Sequence, residues 1–231
     1  MNDHIAFRTF DQSTMDLSAF TRALGTMGYE EFGRYEFPDK HQDALAFKTK
    51  HPEDPKVFVS EIRRGALSPT SQSILSKLIE QCSITQLHLR HLLEPCPWPL
   101  ISYEDYLTLA SESEYAAWLS VMGLRANHFT VSVNQLNHLT DLSSLNRYLQ
   151  ANGFPLNDVG GIIKGQPTVY LEQSSTLADQ FEFTFSCGKV AEVPSCFYEF
   201  ARRYPLADGS IFQGFVTNNA QSIFESTHRT V

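Results

Sequence analysis

The feature that most constrains this chain is a repeated order of elements. Residues 1–65 read as strand, helix and three strands: "HIAFRTF", then "DLSAFTRALGTMGY", then "GRYEF", "DALAFKTK" and "KVFVSEI". Leu17, Phe20, Leu24 and Met27 recur at helical spacing, and Gly28 marks the stop. The connections "PDKHQ" and "HPEDP" carry turn chemistry. From residue 126 the order returns as "NHFTVSVN", the amphipathic "DLSSLNRYLQANG" and three extended runs, "TVYLEQSS", "QFEFTFSC" and "SCFYEFARRY". Two passages of βαβββ predict two like modules built around a shared core.

Residues 66–125 break the pattern and read as a helical insertion. Ser68 suits an N-cap with Pro69 at the first helical position, "PCPWP" punctuates, and "SYEDYLTLASESEYAAWLSVMG" supplies one or two more helices. The Gly-rich "NDVGGIIKGQP" connects the second module's helix to its strands, and "NNAQSIFES" ends the chain as a short helix. The expected fold is α+β: a first module over 1–65, the insertion over 66–125 and a second module over 126–231. The two half-barrels lie side by side in one compact domain.

Each module opens on a strand with an unusual polar face. Side chains alternate along a strand, so His4, Ala6 and Arg8 share one face, as do His128, Thr130, Ser132 and Asn134. A buried imidazole or guanidinium needs partners. The last strand of each module carries a glutamate, Glu61 in the first and Glu199 in the second. His4, His128 and Glu199 make a 2-His-1-carboxylate set, which leaves open positions on a divalent ion and is used by non-haem Fe(II) oxygenases. A metal-dependent hydrolase or an isomerase uses the same three groups, so the set alone specifies no reaction. Arg8, about 13 Å beyond His4 along the strand, suits bidentate binding of a substrate carboxylate. Glu61 reads either as a fourth ligand or, preferably, as an ion-pair partner of Arg63 or Arg64. His88 and His91 sit three apart without a third ligand and read as structural.

Bulk properties narrow the class. The chain has 231 residues and a net charge of −8, with no lysine or arginine block, which argues against nucleic acid or an anionic membrane as partner. No apolar run approaches the ~20 residues of a membrane span. The start lacks a charged-then-apolar leader pattern. A ligand at position 4 needs its strand well paired, or further chain before it. Cys82, Cys96, Cys187 and Cys196 form no CxxC pair and read as reduced thiols of a cytoplasmic protein, with an approach of Cys187 to Cys196 left open. There is no GxSxG elbow, P-loop or GxGxxG.

The segments "DHIAFRTF", "NHFTVSVN", "CFYEFARRY" and "NNAQSIFES" resemble the signature segments of the 2-oxoadipate dioxygenase/decarboxylase family. The resemblance implies a vicinal-oxygen-chelate-like fold, Fe(II) held by His4, His128 and Glu199, and Arg8 on the substrate carboxylate. It implies conversion of a 2-oxo dicarboxylic acid, 2-oxoadipate, with O2 to 2-hydroxyglutarate and CO2, a step of lysine catabolism. The chain departs from the family near its C-terminus, where "GFVTNNAQS" replaces a more apolar pocket wall; Asn218 and Asn219 there are candidates for altering which acid is accepted, with Asn218 as the substrate contact. A metal-dependent hydrolase and a non-catalytic dicarboxylate-binding module are the competing expectations.

Overall fold

The computed structural model describes residues 1–227. The first module is β1 (Asn2–Phe10), α1 (Leu17–Gly25), β2 (Glu30–Phe37), β3 (Gln42–Lys48) and β4 (Lys56–Ile62). The insertion holds α2 (Pro69–Glu80), α3 (Tyr103–Glu112) and α4 (Glu114–Met122). The second module runs β5 (Ala126–Ser132), α5 (Leu142–Ala151), β6 (Lys164–Gln166), β7 (Leu171–Ser175), β8 (Gln180–Thr184), β9 (Val190–Pro194) and β10 (Phe197–Arg203), followed by α6 (Thr217–Phe224).

Eight strands join in one sheet of order β2-β3-β4-β1-β5-β10-β7-β6. The halves mirror each other about the central β1/β5 pair. Within each module the first and last strands run parallel, β1 with β4 and β5 with β10, while β1 and β5 meet antiparallel. This is the pairing a local two-fold axis produces. Helix α6 packs on β2 at one edge and on β6 and β7 at the other, so the sheet curls around it as a half-barrel. β1, paired on both sides, is held at the middle of the sheet rather than fraying.

Alternation assigns the two faces. On the outer face Phe7, Leu45, Phe47, Val57 and Val59 join α1 and the insertion helices in the main core, and Val131 and Phe200 pack with Leu142, Leu145 and Leu149 of α5. Helix α4 is buried along its whole length after Glu114. The inner face of the first module is a smaller apolar cluster, Ala6, Phe37, Ala44, Ala46 and Phe58, closed by Phe224 of α6. Ser68 caps α2 with Pro69 next, as expected, and "SYEDYLTLASESEYAAWLSVMG" forms two helices broken at Ser113, which N-caps the second.

Several expectations are corrected. Met27 lies beyond α1 and is 61% exposed, because the helix ends at Gly25. β5 stops at Ser132, so Asn134 sits in a 3-10 turn, where its amide brackets the backbone N–H and C=O of Arg203. "QFEFTF" is extended but leaves the main sheet: β8 pairs with β9 as a separate hairpin that packs Phe185 and Val193 on the insertion helices. Its place is taken by β6, three residues inside the expected connection, too short for periodicity to reveal. All four cysteines are unpaired, Cys187 on the surface and Cys196 donating to the Ala126 carbonyl.

Candidate metal centre

His4 lies on β1, His128 on β5 and Glu199 on β10, three adjacent strands at the middle of the sheet. Register sets their approach: Ala6 pairs with His128, His4 with Thr130, and Thr130 with Glu199. All three point to the inner face and are nearly inaccessible, at 2%, 4% and 1% exposure. His128 Nε2 is 3.2 Å from Glu199 Oε2, His4 Nε2 is 3.6 Å from Oε1, and one donor atom of each residue lies within 4.8 Å of the others. Neighbouring donors about 2.1 Å from one divalent ion stand roughly 3 Å apart, so the spacing fits an ion.

The neighbours aim these groups. His4 Nδ1 is 2.8 Å from Asp3 Oδ1, and His128 Nδ1 is 3.0 Å from Asn127 Oδ1. Both acceptors hold Nδ1–H and turn the lone pair of Nε2 inward, the tautomer a metal ligand requires. Gln173 Nε2 donates to Glu199 Oε1 at 2.6 Å, and Asn219 Nδ2 donates to Gln173 Oε1 at 3.0 Å. Thr130 Oγ1 lies 3.0 Å from His4 Nε2. Phe215 meets the His4 ring edge-on at 4.9 Å and Phe197 stacks on His128 at 4.6 Å. The centre is buried, with aromatic rings against both imidazoles.

Charge follows from this packing. Burial lifts the Glu199 carboxyl, but His4 and His128 outweigh it and hold the group well below the usual carboxylate range. Asp3 is depressed in the same way by Arg203 and His4, against burial. Burial lowers the proton affinity of both imidazoles. Glu199 and Asp3 overcome it at His4, which is raised, whereas burial prevails at His128, which is lowered.

The two glutamates are not counterparts. Glu199 pairs with Thr130, two residues past His128, and the matching residue of the first module is Phe58, which pairs with Ala6 two residues past His4. Glu61 lies three residues further along β4, an odd step that turns it to the opposite face. There its carboxylate accepts the Leu17 N–H of α1 at 3.0 Å, and burial raises its proton affinity. It is neither a ligand nor a partner of Arg63 and Arg64, which pair with Asp43 and Asp11.

Arg8 is 1% exposed, between the rings of Tyr115 (4.7 Å) and Trp118 (5.0 Å), with Nη1 3.4 Å from Glu114 Oε2 and Nη2 donating to Thr227 Oγ1 at 3.0 Å. Asn218 faces outward from α6, and its neighbour Asn219, about 100° around the helix, is the buried one. His88 and His91 bond each other's backbone and cap a 3-10 turn, as their structural reading expects. Asp3, Asn127, Gln173 and Arg203 are the supporting residues that the sequence reading did not single out, whereas Asn219 was named there beside Asn218. The only sequence signal was the repeated acid- or amide-histidine dipeptide, "DH" and "NH", opening both modules.

A curled sheet of two like modules, with two imidazoles and one carboxylate converging on its central strands, defines the class: a vicinal-oxygen-chelate-type fold with a candidate 2-His-1-carboxylate centre. The pattern of the 2-oxoadipate dioxygenase/decarboxylase family matches residues 1–211, and the chain belongs to that family. It is 34% identical, over 97% of its length and 68% of the relative's, to the "2-oxoadipate dioxygenase/decarboxylase, chloroplastic/amyloplastic" of Oryza sativa subsp. japonica. Among solved structures it is similar to the hydroxyglutarate synthase of Oryza sativa in complex with 2-oxoadipate (33% identity, TM-score 0.91, covering 98% of this chain and 80% of that one). A protein from Shewanella frigidimarina NCIMB 400, provisionally called a hydrolase, is 43% identical with a TM-score of 0.87, covering 94% of this chain and 85% of that one. No helix among the described residues is long and apolar enough to cross a membrane.

Proposed function

We propose that this chain is an Fe(II)-dependent enzyme that converts 2-oxoadipate and O2 to 2-hydroxyglutarate and CO2. The observation that carries the reading is the convergence of His4 Nε2, His128 Nε2 and a Glu199 carboxylate oxygen, with both Nδ1 positions bonded, in a chain of this family. The stoichiometry closes without an added reductant: one carbon leaves as CO2 with the two oxygens of its own carboxylate, and both oxygen atoms of O2 end in 2-hydroxyglutarate, one in the new carboxylate and one in the hydroxyl. Fe(II), when bound, supplies the activation of O2 and of the 2-oxo acid.

The protein's own residues supply holding, alignment and dryness. His4, His128 and Glu199 would hold the ion, and three donors leave positions for an oxo acid and O2. Arg8 follows His4 on the same face of β1, separated only by the small Ala6, and its guanidinium would grip the far carboxylate of the substrate. Its 3.4 Å contact with Glu114 is a long one, which a substrate carboxylate in bidentate geometry would replace. Fixing both ends of a flexible diacid makes the reacting carbon's position a consequence of binding. Phe58, Phe197 and Phe215 around the inner face keep bulk water away from the reacting groups. Asn219, rather than Asn218, stands on the side of Glu199, through Gln173. The free thiols fit the cytoplasm as the compartment.

The test is oxygen uptake by Fe(II)-reconstituted protein with 2-oxoadipate, with CO2 and 2-hydroxyglutarate formed in equal amounts. Ester cleavage without O2 uptake would move the assignment to a metal-dependent hydrolase. Dicarboxylate binding with neither reaction would leave a binding module.

A further inference from the structure

The two histidines are presented alike and supported differently. In the β1/β5 pairing the register shifts twice. Between Asn2 and His4 the extra residue is Asp3, and between the partners of Ala6 and Phe7 it is Asn127. Each module therefore places a β-bulge one residue before its histidine. A bulge re-aims a side chain that would otherwise point through the sheet, which is how Asp3 and Asn127 reach the Nδ1 atoms of their own neighbours. The backbone device is duplicated, but the chemistry on it is not.

Asp3 is a carboxylate and is itself gripped from β10. Arg203 Nε donates to Asp3 Oδ2 at 2.6 Å and Nη2 to Oδ1 at 2.8 Å, a two-pronged pair that a lysine cannot reproduce. The remaining nitrogen, Nη1, donates to the carbonyls of Phe212 (3.2 Å) and Gly214 (2.7 Å), and the guanidinium lies 5.3 Å over the Phe215 ring that abuts His4. Arg203 lies four residues past Glu199, and four past Phe58 the first module has Ile62, which is fully buried and uncharged. Asn127 is correspondingly an amide, and its Nδ2 has no hydrogen-bond partner among the described residues. Carboxylate comes with cation and amide with aliphatic: the two positions differ as pairs.

We propose that Asp3 and Arg203 are a positioning pair that makes His4 the stronger of the two imidazole donors to the metal. This rests on the metal-centre reading above. A carboxylate at Nδ1–H raises the basicity of Nε2 through the ring more than an amide oxygen does. Arg203 keeps that carboxylate ionised and fixed at a depth where an unpaired charge would be expelled. His128, with only Asn127 behind it, is the weaker donor, and the ion is held asymmetrically.

The experiment titrates Co(II) into metal-free full-length protein, following the d–d absorption bands, with thermal melting as an independent measure of folding. Wild type takes up one equivalent. D3N keeps a hydrogen-bond acceptor at His4 but binds Co(II) about 10- to 100-fold more weakly, with shifted bands. R203K is weakened in the same direction. The double variant D3N/R203M removes both buried charges. It melts closer to wild type than D3N and still binds Co(II) as weakly as D3N. If D3N does not fold, the double variant decides. Co(II) affinity and bands unchanged in either folded variant overturn the proposal. A wild-type protein that takes up no Co(II) overturns the metal-centre reading itself.

Discussion

The two modules follow one backbone path and carry opposite inner faces. In the first, β1, β3 and β4 turn Ala6, Ala44, Ala46 and Phe58 inward, where Phe37 and Phe224 complete an apolar cluster. In the second, β5, β7 and β10 turn His128, Thr130, Gln173, Ser175 and Glu199 inward, every one buried and bonded to a polar neighbour. The lesson lies in the Phe58 and Glu199 positions, which the register makes equivalent. A symmetric scaffold brings two first strands together, and a divalent centre then needs a carboxylate from one side only. The other side keeps an aromatic ring and contributes packing. His4 is the first module's single ligand.

The sharpest break of that division is His128→Ala. Metal content is expected to fall to about a tenth of wild type or less, because two donors no longer enclose an ion, while the far-ultraviolet dichroism stays native. Retained stoichiometric metal by elemental analysis would place the ion elsewhere. Next is Phe58→Ala, on the packing side, where denaturant melts should show a loss of about 3–5 kcal/mol with Co(II) uptake preserved. Should Phe58→Ala abolish uptake without unfolding the protein, the two positions are not divided as described.

Acid titration of metal-free protein probes the buried charges that the two modules bring together. Asp3 and Glu199 are held below their unfolded values, so their contribution is complete above about pH 4 and is lost as pH falls. His128, also depressed, adds a loss that begins below about pH 6.5. His4 is raised and acts oppositely: its contribution is full below about pH 6.5 and is lost as pH rises through its folded value. Melting temperature should therefore fall on the acid side, and Glu199→Gln should flatten that limb; an identical acid limb in the variant would contradict the assignment. The smallest effect is expected at Glu61→Gln, about 1 kcal/mol for a weakened bond to the α1 N-terminus. Its Co(II) affinity should equal wild type, and a weaker one would return Glu61 to the metal.

Much of this was readable before any coordinates. The strand alternation of "HIAFRTF" and "NHFTVSVN" correctly put His4 and His128 on inner faces, because period 2 is a property of the extended backbone itself. Cap chemistry at Ser68 and the apolar spacing of α1 and α5 are likewise local. The matching of Glu61 with Glu199 failed for a specific reason: both are final-strand glutamates, but counting along a loop-interrupted chain does not give register. The error of three residues reverses the face. "QFEFTF" misled similarly, since its alternation is true of any strand and says nothing about which sheet accepts it.

The sequence by itself determined the duplicated element order, the faces of its first strands and the residue types a divalent ion needs, because those follow from short-range geometry and from side-chain chemistry. Tertiary structure alone decided which glutamate faces inward, which residues back each imidazole and that Asn219 rather than Asn218 is buried. Those outcomes depend on strand register, on two single-residue bulges and on the rotation of one helix, each fixed by packing between segments far apart in the chain.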